Sequence, residues 1–287
     1  MNRSTYFLAA AALICSLPSF ADEPIDESRP LNTDAVISVK NTAGVIQVQA
    51  WDKKMLSLTG RLGDGVEKLI IEGDAARLRI EVKLPRNAHN VEDTELLLRV
   101  PAGVSLDLDS VSADVDVQGT RGPIKVNSVS GKVRLIVGSP AVQAQSVSGD
   151  MRVEAPAQDT QLKSVSGDLF ARGLQGEVVA ETVSGSLHIE GAGLSRLKVK
   201  SVSGDLNVVA SLTDSAHVDL ETLSGEATLA LPASTNATVN LNTFSGDVES
   251  ELGRLGDNAR KATLRLGTGG AQVNLHSFSG DVRLQKR

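Results

Sequence analysis

From Ser105 onward apolar and polar residues alternate in short runs, and the runs come in pairs joined by a recurring five-residue phrase. Upstream of the phrase stand Ile124/Val126, Leu197/Val199, Val218/Leu220, Val239/Leu241 and Val273/Leu275. Downstream stand Val133/Leu135/Val137, Leu187/Ile189, Leu206/Val208, Leu229/Leu231 and Val282/Leu284. Lys, Arg, Asp, His and Asn fill the positions between. Alternation with a period of two predicts β-strands with one buried face. The abundance of Ser, Thr, Val and Gly argues against a helical repeat.

The phrase itself reads SVSAD at Ser110–Asp114, SVSGK at Ser128–Lys132, SVSGD at Ser146–Asp150 and again at Ser164–Asp168. It continues as TVSGS (Thr182–Ser186), SVSGD (Ser201–Asp205), TLSGE (Thr222–Glu226), TFSGD (Thr243–Asp247) and SFSGD (Ser277–Asp281). From Ala113 to Gly185 the step is 18 residues each time; it then becomes 19, 21 and 21, and a longer interval precedes Gly280. Constant spacing of this length marks units that bury their core only by stacking. The expected fold is therefore all-β: a single-stranded β-solenoid (β-helix) of about nine coils of 18–21 residues, with an irregular β-rich N-terminal cap. At about 4.8 Å per rung such a rod is about 40 Å long.

Counting in twos from the upstream strand points both serines of a phrase inward. Counting back from the downstream strand points the residue between them inward instead. Parity must break inside the phrase, and a corner at its glycine does this, because Gly adopts positive φ without a Cβ clash. The turn glycines are then Gly131, Gly149, Gly167, Gly185, Gly204, Gly225, Gly246 and Gly280. Ser and Thr fit a tight corner and bond to its backbone. The middle column is apolar throughout: Val111, Val129, Val147, Val165, Val183, Val202, Leu223, Phe244 and Phe278. The corner favours its burial; exposed, it is an interaction stripe.

Outside the repeats, Asn2 and Arg3, the apolar run Tyr6–Leu17 and Ser19-Phe20-Ala21 read as a secretory signal peptide over 1–21. The single cysteine, Cys15, falls inside it, where Ile14 spoils a lipoprotein cleavage box, so no disulfide or Cys-ligated metal is expected after cleavage. Residues 22–34, with Pro24 and Pro30 among acidic residues, read as a flexible lead-in, and 35–104 as the β-rich cap or first coils. Solenoid repeats fill 105–287, interrupted by a polar loop at 249–261, and Lys286-Arg287 blunt the last edge. No later run approaches the roughly 18 apolar residues of a membrane helix. A net charge of −6 argues against nucleic acid as a partner, and only Trp51, Phe170, Phe244 and Phe278 remain as aromatics beyond the leader, too few for sugar or base platforms.

Asn41-Thr42-Ala43-Gly44 followed by Val48 and Trp51-Asp52, the Val100-Pro101-Ala102-Gly103 entry and the serial S-V-S-G-D coils together resemble the bacterial "putative adhesin" β-strand-repeat family, domain of unknown function 4097. The resemblance implies a β-solenoid of the cell envelope with no assigned catalytic residues.

The residues themselves offer little chemistry. Asp150, Asp168 and Asp205 supply one carboxylate per coil, short of the converging oxygens calcium needs, although a calcium-binding solenoid stays open as an alternative. The serines have no recurring His or carboxylate to activate them, and Ser195-x-x-Lys198 matches a penicillin-recognising motif without its companions. His89, His188, His217 and His276 are scattered. Paired carboxylates on a β-helix leave a glycan-acting enzyme as the other alternative. The expectation is a non-enzymatic, adhesin-like scaffold without cofactor or metal, exported to the periplasm or beyond, that binds an envelope protein or surface polymer.

Overall fold

The computed structural model describes residues 23–86, 92–256 and 259–287; the leader over 1–21 with Cys15, and His89, lie outside the described residues. Every regular element among them is a strand. The first are β1 (Glu23–Pro30), β2 (Val36–Asn41), β3 (Gly44–Trp51), β4 (Met55–Leu62), β5 (Lys68–Gly73), β6 (Arg77–Lys83) and β7 (Thr94–Pro101). The regular repeats follow as β8 (Ser105–Ser110), β9 (Asp114–Gln118), β10 (Ile124–Ser128), β11 (Val133–Ile136), β12 (Ala141–Ser146), β13 (Met151–Glu154) and β14 (Asp159–Ser166). Three long bent strands, β15 (Leu169–Ser184), β16 (Leu187–Ser203) and β17 (Leu206–Ser224), each contribute to two faces. The chain closes with β18 (Ala227–Leu231), β19 (Ala237–Ser245), β20 (Val248–Ser250), β21 (Lys261–Leu266), β22 (Ala271–Ser279) and β23 (Val282–Lys286).

Two parallel stacks result. One runs β2, β8, β10, β12, β14 and then the C-terminal halves of β15, β16 and β17. The other runs β3, β9, β11, β13 and then the N-terminal halves of the same long strands. Register is strict: Ser128 pairs with Ser146, Ser146 with Ser164, Ser164 with Thr182 and Thr182 with Ser201, so each copy of the phrase lies over the next. The inward faces of both stacks, such as Val126, Leu162, Val199, Leu135 and Ile189, join one continuous buried core. The alternation thus does what period two requires, one face dry and one wet.

The order of rungs at the ends is not the order of the chain. β22 pairs with β17 on one side and β19 on the other, and β23 pairs with β18 and β20. The last segment is therefore slotted between two earlier ones, and Lys286 sits on an interior strand rather than blunting the final edge. The N-terminal end repeats the device: β2 lies between β6 and β8, and β3 between β7 and β9. At the outer edges β5 on β6, β4 on β7, β1 on β4 and β21 on β19 run antiparallel, whereas β20 lies parallel on β23.

Two segments differ from their expected character. Glu23–Pro30, expected as flexible lead-in, is the edge strand β1, and its prolines sit at second and last positions, where an edge tolerates a missing donor. Of the stretch 249–261, expected to protrude, Glu249 and Ser250 belong to β20, Lys261 opens β21, and Leu252 and Leu255 pack against the core.

Candidate functional site

The corners decide which side chains the molecule offers. In each phrase the first Ser or Thr is buried, and, Ser201 excepted, its hydroxyl donates to a carbonyl of its own turn or of the adjacent rung's. Ser110 Oγ reaches the Ala113 carbonyl at 2.6 Å, Ser128 the Gly131 carbonyl at 3.2 Å and Ser146 the Gly149 carbonyl at 3.0 Å. In the first coils the second serine ties its rung to the previous one: Ser130 Oγ donates to the Val111 carbonyl at 3.1 Å and Ser148 Oγ to the Val129 carbonyl at 3.2 Å. These hydroxyls hold backbone together, a structural use of the local bonding that Ser and Thr favour.

The glycines stack backbone on backbone. Gly167, Gly185, Gly204, Gly225, Gly246 and Gly280 have positive φ, whereas Gly131 and Gly149 do not. At those two the constraint is contact: a Cβ on Gly131 would lie 1.9 Å from the Ala113 carbonyl oxygen, and one on Gly149 2.0 Å from that of Gly131. The aspartates, expected to do no more than face water, accept from the next rung. Asp150 Oδ1 takes the Asp168 N–H at 3.0 Å, Asp168 Oδ1 the Ser186 N–H at 2.9 Å and Asp205 Oδ1 the Glu226 N–H at 3.0 Å.

Parity breaks by placing two consecutive residues outward. Ser146 is buried, Val147 and Ser148 both point to solvent, and Met151 is buried again. The middle column is consequently exposed, from 44% at Val129 to 66% at Phe244, which overturns the burial that the corner favoured. Val147, Val165, Val183, Val202 and Leu223 line up on successive rungs, and the interleaved end adds Phe278 and then Phe244. The two phenylalanine rings stack at 5.0 Å and 9°. A groove of about 440 Å³ runs beside Val147, Val165 and Val183, and another of about 390 Å³ beside Val202, Leu223 and Phe278; both include Glu181 and Thr182.

A charged ladder forms the far wall of these grooves. Lys163 pairs with Glu181 at 3.0 Å and Lys200 with Glu221 at 2.6 Å. Hydrogen bonding to Glu221 raises the Lys200 pKa above its usual value. Toward the N-terminal end Lys40 meets Asp109 at 2.9 Å, and the Asn127 amide donates to Asp109 at 2.8 Å. Burial works to raise the Asp109 pKa, but the bonds from Asn127 and Lys40 outweigh it and hold it below the usual range. The ladder was readable but missed: the residue before each first Ser or Thr changes sign from Lys163 to Glu181 to Lys200 to Glu221. The corner Asn41-Thr42-Ala43-Gly44 was missed as a copy of the phrase; Asn41 pairs with Ser110 and Val45 with Asp114.

Other polar groups do not converge. Among the described residues no three His, Cys, Asp or Glu side chains come together as a metal site. His188 stacks on Phe170 at 5.0 Å and contacts Glu190 at 3.0 Å, while His217 and His276 are exposed. Where a carboxylate pKa is displaced it moves down: at Glu154 chiefly through Arg172, and at Asp74 through the Arg77 and Ala76 N–H groups. A glycosidic general acid needs the opposite displacement. No helix among the described residues is long and apolar enough to cross a membrane.

Comparison with known proteins finds distant structural likenesses. A solved "putative lipid binding protein" from Parabacteroides distasonis is 14% identical, with 92% of this chain and 96% of that one covered and a TM-score of 0.41. A "putative adhesin" from Bacteroides fragilis is 12% identical over 92% and 98% of the two chains at a TM-score of 0.37. One from Parabacteroides merdae is 12% identical over 92% and 99% at 0.34. No curated protein matches. A family model described as Toastrack DUF4097 matches residues 154–285, the later coils and the interleaved end. The match takes in 132 of the 287 residues, just under half of the chain.

Proposed function

We propose that this chain is a non-enzymatic, adhesin-like envelope protein, a β-solenoid scaffold exported by its leader 1–21 to the periplasm, that binds an envelope protein or surface polymer along its apolar ridge. The observation that carries this reading is the unbroken exposure of the Val/Leu/Phe column on adjacent rungs. Isolated apolar residues on a surface need no explanation, but a contiguous row does. The corner does not demand these residues, because their side chains fill no space in it. Beside them, Ser130 and Ser148 and the carboxylates of Asp150, Asp168 and Asp205 are engaged in rung-to-rung bonds, which favours recognition over chemistry.

Replacing Val147, Val165, Val183 and Val202 together by Ser tests the reading. The sites are exposed, so each change shifts stability by about 0.5 kcal/mol or less. Retention of the purified chain on isolated envelope material should fall at least about tenfold, as expected for losing the apolar part of a contact. Unchanged retention by a variant with native circular dichroism would refute the ridge as the binding surface.

A further inference from the structure

The ladder beside the ridge restricts what the ridge can meet. Lys163, Glu181, Lys200 and Glu221 occupy paired positions on four adjacent rungs and alternate in sign. Uncharged Gln145 and Asn127 precede them, and His276 and Asn242 follow. Such a ladder shows no net charge to an anionic polymer or a membrane. It is complementary to another ladder of the same kind displaced by an odd number of rungs.

We infer that the occupant of the ridge is a second copy of this chain, packed antiparallel about a two-fold axis between the rungs of Val183 and Val202. This rests on the reading of the ridge as a binding surface and names its protein partner. Symmetry comes first. A two-fold perpendicular to the rod keeps the charged ladders of both copies on the same side of the seam, whereas a two-fold along the rod sets each ladder against the other copy's serine column. Charge comes second. With the axis placed there, Lys163 faces Glu221 of the second copy and Glu181 faces Lys200, so all four charges meet opposite charges. Size comes third. Val165 then faces Leu223, Val147 faces Phe278 and Val129 faces Phe244, which sets small side chains against large and keeps the seam even. A parallel, in-register seam would crowd phenylalanine on phenylalanine at one end and leave valine on valine at the other. Eight rungs about 4.8 Å apart, with side chains spanning about 15 Å across the corner, enclose on the order of 600 Å² per partner. That is the low end of stable interfaces and fits a reversible dimer.

Cysteine pairing tests the register, since the chain has no cysteine beyond Cys15 of the leader. Exported Val165→Cys protein mixed with Leu223→Cys protein, under mild oxidation, should give at least ten times more disulfide-linked dimer than either variant alone. In this seam Val165 lies three rungs, about 14 Å, from its own counterpart, beyond disulfide reach. Linkage of Val165→Cys with itself overturns the antiparallel arrangement. Sedimentation supplies the second test: Lys200→Glu should raise the dimer dissociation constant at least tenfold, and adding Glu181→Lys should restore it. Failure of the swap to restore dimerisation overturns the assigned register. A chain that sediments as a monomer and stays unlinked, yet loses envelope retention in the four-serine variant, overturns the second copy while leaving the ridge a binding surface. A monomer whose retention also survives that variant overturns both.

Discussion

Gly131 and Gly167 stand at the same place in the phrase and need glycine for different reasons. Gly167 has φ +125°, a conformation that a side chain strains, whereas Gly131 is constrained by the Ala113 carbonyl 1.9 Å from where its Cβ would be. If backbone handedness were the whole cause, Gly131→Ala would be neutral or slightly stabilising. The stacked carbonyl predicts instead a loss of about 2 kcal/mol or more in chemical denaturation, comparable with Gly167→Val, because rungs must move apart. An unchanged midpoint for Gly131→Ala would remove the close-stacking argument. Asp168 separates charge from acceptor in the same way. Asp168→Asn keeps an oxygen for the Ser186 N–H and should shift stability by a few tenths of a kcal/mol, while Asp168→Ala, which keeps none, should lose about 1 kcal/mol. An Asn variant weaker than the Ala variant would mean that the carboxylate matters through its charge.

Strand pairing was legible in the sequence where spacing is constant and illegible where neighbours are exchanged. The run from Ala113 to Gly185 fixes rung, register and buried face, since a slip by one residue would turn Val126 and Leu135 outward. The exchange at each end carries no such signature. The SFSGD corner fits between those of Thr222 and Thr243 as well as it fits beyond them, because every rung offers the same pattern to either side. Only the long interval before Gly280 hinted at it. The facing of the middle column was likewise undecidable, as the two parity counts disagreed by one residue. The exchange has a measurable consequence. β22 is bonded on both edges, so amides of Val273–Leu275 should exchange with deuterium about as slowly as those of Val199 and Leu220. β21 and β1 each have one free edge and should exchange far sooner. Early exchange in β22 would restore a chain-ordered stack. At the other end, the Lys40–Asp109–Asn127 ties join β2, β8 and β10. The Asp109 pKa is depressed in the folded state, so this tie stabilises above the ordinary carboxylate value and is lost as pH falls through the folded one. Asp109→Asn should therefore flatten the acid limb of stability, and an unaltered limb would show the tie to be inert.

A stack of like units is expected to come apart from its ends, because each unit touches only its neighbours and terminal units have one neighbour instead of two. Interleaving alters that expectation for the whole molecule. β22 and β23 near the C-terminus and β2 and β3 near the N-terminus are held between rungs, while β1 lies on the outer edge against β4. To release β2 and β3 the molecule must part β6 from β2 and β2 from β8, and also β7 from β3 and β3 from β9, which opens the continuous core rather than peeling its surface. Cooperative unfolding follows, although no disulfide is available to enforce it. The only tryptophan is placed to test this. Trp51 ends β3, pairs with Pro101, and donates its indole N–H to the Met55 carbonyl at 2.9 Å, so its fluorescence reports on the N-terminal rungs alone. Far-ultraviolet circular dichroism reports on the strands of the entire rod. In urea the two signals should trace one transition with a shared midpoint, as a two-state domain requires. A Trp51 midpoint lower by about 0.5 M or more would mean that the N-terminal rungs fray first, at m-values of about 1–3 kcal/mol/M a difference of at least about 0.5 kcal/mol, and that interleaving does not lock the end.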